Sequence, residues 1–252
     1  METLEIYLPD DKSRRLWTWV DIALIGLSII AMILLGVWLF SFLSQQVSSG
    51  QPEITLGYII ALTSLEVFAI LISVYIFGLL RKDLHWMDVG FVPSTFRWLA
   101  WAAITALIFI PIIGLIALAI QVALGLPTEN PQLEFLVPKD ISWFGGLVMV
   151  ILGGLLVPIA EEVLFRGVLY RWMRQFSSPW VAIPISSALF GLLHGDIAVA
   201  GATFVMGIIL AWFYERSHSL WPSIVIHAVN NGFKLALLYG LLAAGYKIPP
   251  LV

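Results

Sequence analysis

The chain has 252 residues, of which 60% are hydrophobic and 12% are charged, and its mean hydropathy is +0.97. Soluble domains carry about 25% charged residues, so this composition excludes a soluble protein and indicates an integral membrane protein. The formal net charge is −3, and no basic tract of the kind that nucleic-acid binding needs is present, so no nucleic-acid partner is expected. Without cysteine, the chain has no disulfide, no thiolate metal ligand and no cysteine nucleophile.

Seven apolar runs approach the roughly 20 residues that a membrane-spanning helix needs. The fifth and sixth are shorter than the others, and Gly195-Asp196 lies between them. We therefore predict an all-α, polytopic transmembrane helix bundle of about seven spans. The predicted spans are Val20–Leu43, Leu56–Leu80, Trp98–Leu124, Ile141–Ala160, Trp180–Leu193, Ile197–Trp212 and Leu220–Ala244.

Lysine and arginine residues alternate between the predicted loops, and this pattern predicts the orientation of the chain. Three basic residues precede the first span, whereas the following loop, residues 44–55, has none. The amino terminus is therefore expected in the cytosol. We divide the chain into a cytosolic arm (residues 1–19), amino-terminal spans (20–140) and a transmembrane core (141–252) that holds the motifs described below.

Two acidic residues of the amino-terminal spans are expected in different environments. Asp21 lies near a predicted membrane interface and is expected to be solvated. Glu66 lies deep inside its span, where a charge is costly. It either lines a polar cavity or is a tolerated charge that faces the bundle, and the sequence favours the second interpretation.

The residues Glu161, Glu162 and Arg166 interrupt an apolar run from about Ile141 to Phe176. A charge inside a membrane helix costs about 2.5–3.5 kcal/mol, so such residues need partners and are functional by default. Glu162 and Arg166 are four residues apart with the acid first, which is the favourable order for an ion pair on one helix face. Glu161 is rotated by about 100° from Glu162, so it is poorly placed to share the arginine and is left free for chemistry.

Two further motifs follow, Phe190-x-x-x-His194 and His227-x-x-x-Asn231. If the fourth and fifth spans form a hairpin that turns near Ser177–Pro179, Glu161 and His194 both lie about 24 Å from its tip. The two residues of the last motif, four apart, share one face of the last helix. The three motifs are therefore predicted to meet in one layer of the bundle, with a turn between His194 and Gly201 near mid-membrane.

This set of residue types is suited to hydrolysis. Glu161 could activate a water molecule, His194 could orient that water or carry its proton, and His227 with Asn231 could donate hydrogen bonds to a developing oxyanion. Alternatively, Glu161, His194 and His227 could bind zinc, although no His-Glu-x-x-His pair is present. Each motif alone could be structural, since polar residues often join membrane helices. The convergence of three motifs favours a hydrolytic site, and no cofactor is required by the spacing.

At these residues the sequence resembles the CAAX protease and bacteriocin-processing (CPBP) family of intramembrane proteases, which includes the type II CAAX prenyl endopeptidases. The resemblance is carried, in matching order and spacing, by residues 161–167 (EEVLFRG), 190–194 (FGLLH) and 219–231 (SLWPSIVIHAVNN). It implies an endopeptidase that acts on a membrane-anchored peptide, such as a prenylated CAAX tail, within the lipid bilayer of a prokaryotic plasma membrane.

The resemblance also implies roles for individual residues. Glu161 would be the catalytic base together with His194, and His227 and Asn231 would form the oxyanion site. The supporting residues would be Glu162, Arg166 and Phe190. The resemblance does not decide whether the reaction uses a metal.

Two other kinds of protein stay open from the sequence. One is a non-catalytic membrane scaffold or bacteriocin-immunity protein that binds another membrane protein. The other is a transporter with a proton relay, which would predict two repeated halves with interrupted helices, and no such repeat is found in the sequence. Proteolysis requires the carboxylate of Glu161, whereas a scaffold should tolerate Glu161→Gln.

Overall fold

The computed structural model describes residues 16–47, 55–127, 136–137 and 142–246, and these residues form helices joined by turns and loops, without any strand. The helices are named α1 to α7 in chain order. Their bounds are Trp19–Val47 (α1), Leu56–Ser73 continued by Val74–Leu79 and Leu80–Lys82 (α2), Phe96–Leu124 (α3), Trp143–Arg174 (α4), Pro179–Leu192 (α5), Ile197–Ser217 (α6) and Leu220–Ala243 (α7). A short 3-10 helix, Trp86–Val89, connects α2 to α3.

The predicted all-α polytopic bundle is confirmed. Every helix from α1 to α7 except α5 is long and apolar enough to cross a membrane. Helix α5 has 14 residues, which fits the short fifth span that the sequence predicts. The cytosolic amino terminus and the three-part division of the chain stay predictions. Most of the predicted arm, and residues 128–135 of the loop after α3, lie outside the described residues.

Helix α4, which carries the two adjacent glutamates, is not a regular α-helix along its length. Its consecutive segments are Trp143–Ile151, Leu152–Leu156, Val157–Glu162, Val163–Tyr170 and Arg171–Arg174, of which the second and fourth are π-helical. Pro158 has no N–H, and in an α-helix its ring would clash with the carbonyl of Gly154, so a wider turn accommodates it. The two π-helical segments flank the stretch that ends on Glu161 and Glu162.

Helix α7 occupies the centre of the carboxy-terminal half, where it packs against α3, α4 and α6. Helices α4 and α7 come very close because glycine faces glycine: a Cβ added at Gly154 would lie 2.7 Å from the Cα of Gly232. Small residues allow membrane helices to approach each other in this way. The close approach sets the acidic segment of α4 beside His227 of α7.

The expectation that Asp21 is solvated is wrong. Its side chain is fully buried, and its carboxylate lies 2.7 Å from Arg81 Nη1 and 2.8 Å from Lys82 Nζ. The backbone N–H of Thr18 also donates to it, over 2.8 Å. Arg81 and Lys82 lie at the end of α2. Their pairing with Asp21 joins the start of α1 to the end of α2 and removes the carboxylate from water. The sequence pattern does not indicate this pairing, because 60 residues separate Asp21 from Arg81.

Candidate active site

The predicted ion pair between Glu162 and Arg166 is present and buried. Arg166 Nη1 lies 2.7 Å from Glu162 Oε1, and the exposed fractions of the two side chains are 1% and 0%. Arg166 Nη2 also donates to the carbonyl oxygen of Gly207 on α6, over 3.2 Å. The guanidinium therefore joins α4 to α6, while its charge is compensated within its own helix.

Phe190, on α5, fills the space between the charged groups. Its ring is fully buried and lies edge-on to the rings of Phe165, His194 and His227, with centroid distances of 4.9, 4.9 and 5.7 Å. The guanidinium carbon of Arg166 lies 4.6 Å from the centroid of Phe190. An aromatic face is attractive to a cation and excludes water, so this ring supports the arginine and both histidines at once.

His227 is held by the same carboxylate oxygen as the arginine. Its Nδ1 lies 2.9 Å from Glu162 Oε1. An ionised carboxylate only accepts hydrogen bonds, so Nδ1 carries a proton and donates it to Glu162. In the neutral ring, Nε2 then keeps its lone pair. This nitrogen lies 3.4 Å from Glu161 Oε2, so the second glutamate meets the side of the ring that can still exchange a proton.

Asn231 is oriented by a neighbour that the sequence analysis did not single out. The Nδ2 group of Asn230 donates to Asn231 Oδ1 over 2.9 Å. With its oxygen occupied in this way, Asn231 directs its own Nδ2 to His227 Nε2, 3.4 Å away. The sequence does contain a signal that could have identified Asn230. Its amide side chain lies three residues after an intramembrane histidine, and residues three and four apart share a helix face.

His194 lies in the turn between α5 and α6, which is shorter than the predicted turn from His194 to Gly201. Gly195 adopts a left-handed φ of 78°, and the Asp196 side chain accepts from the N–H groups of Ala198 and Val199 and so caps α6. Gly201 itself lies inside α6. The Nδ1 atom of His194 lies 2.8 Å from the carbonyl oxygen of Phe190 and donates to it, so its Nε2 is left as the acceptor.

The side chains of the candidate site differ in their exposure. Glu162, Arg166 and His227 are buried, whereas Glu161, His194 and Asn231 are partly exposed. The described residues give no hydrogen bond between His194 and Glu161, and His194 is connected to the buried groups through the ring of Phe190. The predicted convergence of three motifs is therefore visible as a chain of contacts through the buried groups.

Glu66 is partly buried on α2, which packs against the segment of α4 that ends on Glu161 and Glu162. Its interpretation, as a residue that lines a polar cavity or as a tolerated charge that faces the bundle, stays a prediction.

No metal site is indicated within the described ranges, where no three His, Cys, Asp or Glu side chains are grouped so that they could hold a metal ion, and this includes the set Glu161, His194 and His227. His227 uses Nδ1 for Glu162, and its Nε2 faces both Glu161 and Asn231. No step below depends on a metal.

Comparison with known proteins finds similarity to membrane peptidases. Residues 142–233 match the family of Rce1-like type II CAAX prenyl endopeptidases. The putative membrane peptidase YdiL of Bacillus subtilis is 30% identical over 110 residues, which cover 44% of this chain and 43% of that protein. The membrane-embedded CAAX protease MroQ of Staphylococcus aureus is 30% identical over 82 residues, 30% of this chain and 33% of that protein.

A third relative has a name that describes no activity. The UPF0177 protein YxdF of Lactococcus lactis is 30% identical over 81 residues, 32% of this chain and 44% of that protein. The chain thus matches less than half the length of each of these relatives. No solved structure gives a significant match. The matched segment contains all three motifs, so the similarity to these membrane peptidases includes the part of the chain that carries the candidate site.

Proposed function

We propose that this chain is an intramembrane endopeptidase that hydrolyses peptide bonds of membrane-anchored substrates, including prenylated CAAX-type tails. The observation that carries the proposal is the different placement of two adjacent glutamates. Glu162 is fully buried and paired with Arg166, while Glu161 is 13% exposed and lies 3.4 Å from His227. A carboxylate that lies beside a histidine and is not needed for a buried ion pair is suited to acid–base catalysis.

The proposed reaction uses a water molecule and Glu161. Glu161 takes one proton from the water, the water oxygen bonds to the carbonyl carbon of the scissile peptide, and the carbonyl oxygen becomes an oxyanion. His194 holds the water, because its Nε2 can accept a hydrogen bond while Nδ1 donates to the Phe190 carbonyl. When the oxyanion collapses, the C–N bond breaks and Glu161 gives its proton to the leaving amine. A carboxylic acid and an amine are released, and the site returns to its first state.

The oxyanion is stabilised by Asn231 and His227. The Asn231 amide has two N–H groups, of which one is directed to His227 and the other can donate to the oxyanion. When its Nε2 is protonated, His227 can donate to the oxyanion instead of accepting from Asn231. A single donor of this kind is worth roughly 10²–10³ in rate. Arg166 and Phe190 act through the residues that they hold in place.

The setting of the reaction follows from the composition of the chain and from its relatives. The proposed partners are the lipid bilayer and a membrane-anchored peptide or protein, with no nucleic acid. The alternation of basic residues supports a cytosolic amino terminus. The bacterial relatives support a location in a prokaryotic plasma membrane.

The test is cleavage of a fluorogenic farnesylated CAAX peptide by the detergent-purified protein. We compare the unchanged chain with Glu161→Gln and with Asp83→Asn, which removes one carboxylate at an exposed position of left-handed φ where asparagine is tolerated. The unchanged chain and Asp83→Asn should cut at the same rate. Glu161→Gln should be slower by about 10²–10⁴-fold, the range expected for loss of a general acid–base group.

Full activity of the Glu161→Gln variant would refute the assigned base. Absence of cutting by every variant would refute this peptide class as substrate and favour the scaffold interpretation. A parallel measurement with a metal chelator tests the metal-free step: activity that is lost on chelation and restored by zinc would contradict it.

A further inference from the structure

The loop between α2 and α3 crosses the ends of three other helices. We call residues 88–92 of this loop the bridging segment. The backbone carbonyls of its residues 88, 89, 90 and 92 all accept hydrogen bonds from these helices. The donors are the Arg171 side chain of α4, the Tyr214 hydroxyl of α6, and the Ser219 hydroxyl and Leu220 N–H at the start of α7. The bridging segment therefore joins α4, α6 and α7 at one end of the bundle.

Two glycines allow the bridging segment to lie directly on these helices. Gly90 has a left-handed φ of 104°, and a Cβ added there would lie 2.8 Å from Tyr214 Cε2. Tyr214 is buried, so its ring has little room to move away. A Cβ added at Gly167 of α4 would lie 2.9 Å from the carbonyl oxygen of Val89. Gly167 is the last residue of the motif at 161–167, and this contact gives a physical reason for a residue without a side chain at that position.

Helices α4 and α7 are thereby connected at two separate points. One is the contact between Gly154 and Gly232, and the other is the bridging segment, which contacts both Gly167 and Leu220. The candidate site lies between these two points on both helices. A helix that is held at one point can still rotate or tilt, whereas a second point of contact restrains both motions.

A small rotation of α7 would be enough to disturb the site. The side-chain ends lie about 5–6 Å from the helix axis, so a rotation of about 10° moves them by about 1 Å. His227 Nδ1 lies 2.9 Å from Glu162 Oε1, and a displacement of this size would take the pair beyond hydrogen-bond distance. Misplacement of catalytic groups by about 1 Å can reduce the rate by about 10²-fold.

We propose that the bridging segment is a positioning element of the active site, which holds α7 in the rotation at which His227 meets the two glutamates. This inference rests on the proposed protease function. Ser219 is its main positioning residue on α7, because its fully buried hydroxyl donates to the Val92 carbonyl over 2.7 Å. Among the described residues, the hydrogen bonds of the bridging segment go to helix ends and not to the reacting groups, so it acts through the helices that it holds.

The test uses two variants, each with a matched control. Gly90→Ala displaces the bridging segment, and Gly125→Ala is its control, because Gly125 also has a left-handed φ, 64°, but an added Cβ there would meet no atom within 4 Å. Ser219→Ala removes the hydrogen bond to Val92 together with the N-cap of α7. Ser142→Ala is its control, because it removes the N-cap of α4 without touching the bridging segment.

Two properties of the folded protein are measured in detergent micelles. The first is kcat on the farnesylated CAAX peptide, expressed per folded molecule, with the folded fraction taken from tryptophan fluorescence. The second is the NMR spectrum of the protein with ¹⁵N-labelled histidine, in which the His227 signals are identified by their loss in His227→Gln. These signals report whether the Nδ1 proton is bonded to Glu162, and they require no substrate.

We expect Gly90→Ala and Ser219→Ala each to lower kcat by roughly 10- to 100-fold and to shift or split the His227 signals, while both controls change neither property. If Gly90→Ala does not fold, Ser219→Ala decides the question alone. A purely structural role would lower only the folded fraction, and unchanged kcat and His227 signals in the folded variants would overturn the inference. Equal effects of the variants and their controls would also overturn it. Altered His227 signals in the two variants, without cleavage by the unchanged chain, would support the positioning role and refute the protease function.

Discussion

Glu162 should be the residue on which the stability of the site depends most strongly. A single oxygen of Glu162 lies 2.7 Å from Arg166 Nη1 and 2.9 Å from His227 Nδ1, and all three side chains are at most 1% exposed. Glu162→Gln removes the negative charge and leaves the buried guanidinium without its counter-ion. Breaking a buried pair in this way costs about 3–5 kcal/mol. Arg166→Met should cost a similar amount, because it leaves the carboxylate uncompensated and also removes the bond to the carbonyl of Gly207.

The double variant Glu162→Gln/Arg166→Met should be destabilised by less than the sum of the single changes, because neither charge is left alone. The difference from additivity should be at least about 1 kcal/mol, within the range seen for residues in direct contact. The assay is the free energy of unfolding in mixed dodecyl maltoside and SDS micelles, followed by tryptophan fluorescence. Additive single effects would refute the reasoning, because they would mean that the two charges do not need each other.

Two further predictions concern the placement and chemistry of α7. Gly154→Ala should lower the free energy of unfolding by about 1–3 kcal/mol and reduce activity, because the new methyl group would lie 2.7 Å from Gly232 Cα. Gly232→Ala is the matched control, since its methyl group would lie 3.7 Å from the Gly154 oxygen, and equal losses for the two would refute the packing argument. Asn231→Ala should lower kcat by about 10²–10³-fold with little change in KM, measured on the farnesylated peptide. Asn230→Ala should have a smaller effect because it only orients Asn231, and a larger loss for Asn230→Ala would reverse these two roles.

The sequence is sufficient to predict the bundle, because the membrane imposes a length and a composition on every spanning helix. It also predicts the Glu162–Arg166 pair, since a spacing of four residues on one helix is a local property. The contact between His227 and Glu162 is different, because 65 residues separate them and the Gly154–Gly232 approach sets their distance. A pattern shows which residues need partners, but the tertiary structure decides which partners they find.

Asp21 shows the limit of this reasoning. Its position near a span end predicts a solvated carboxylate, yet Arg81 and Lys82 remove it from water. The decisive fact is the position of the other helices around this charge. Hydropathy along the chain carries no information about that position.

The placement of Glu161 and Glu162 is consistent with the different roles that we propose for these adjacent identical residues. Consecutive side chains on a helix point about 100° apart, so one can face the packed interior while the other faces an opening. Glu162 contacts both Arg166 and His227, so it serves as the counter-ion of the buried guanidinium. Glu161 does not pair with Arg166, so a change in its protonation would leave the buried ion pair intact. Exchange of their roles is excluded by position, so Glu161→Gln should impair chemistry and spare folding, whereas Glu162→Gln should impair both.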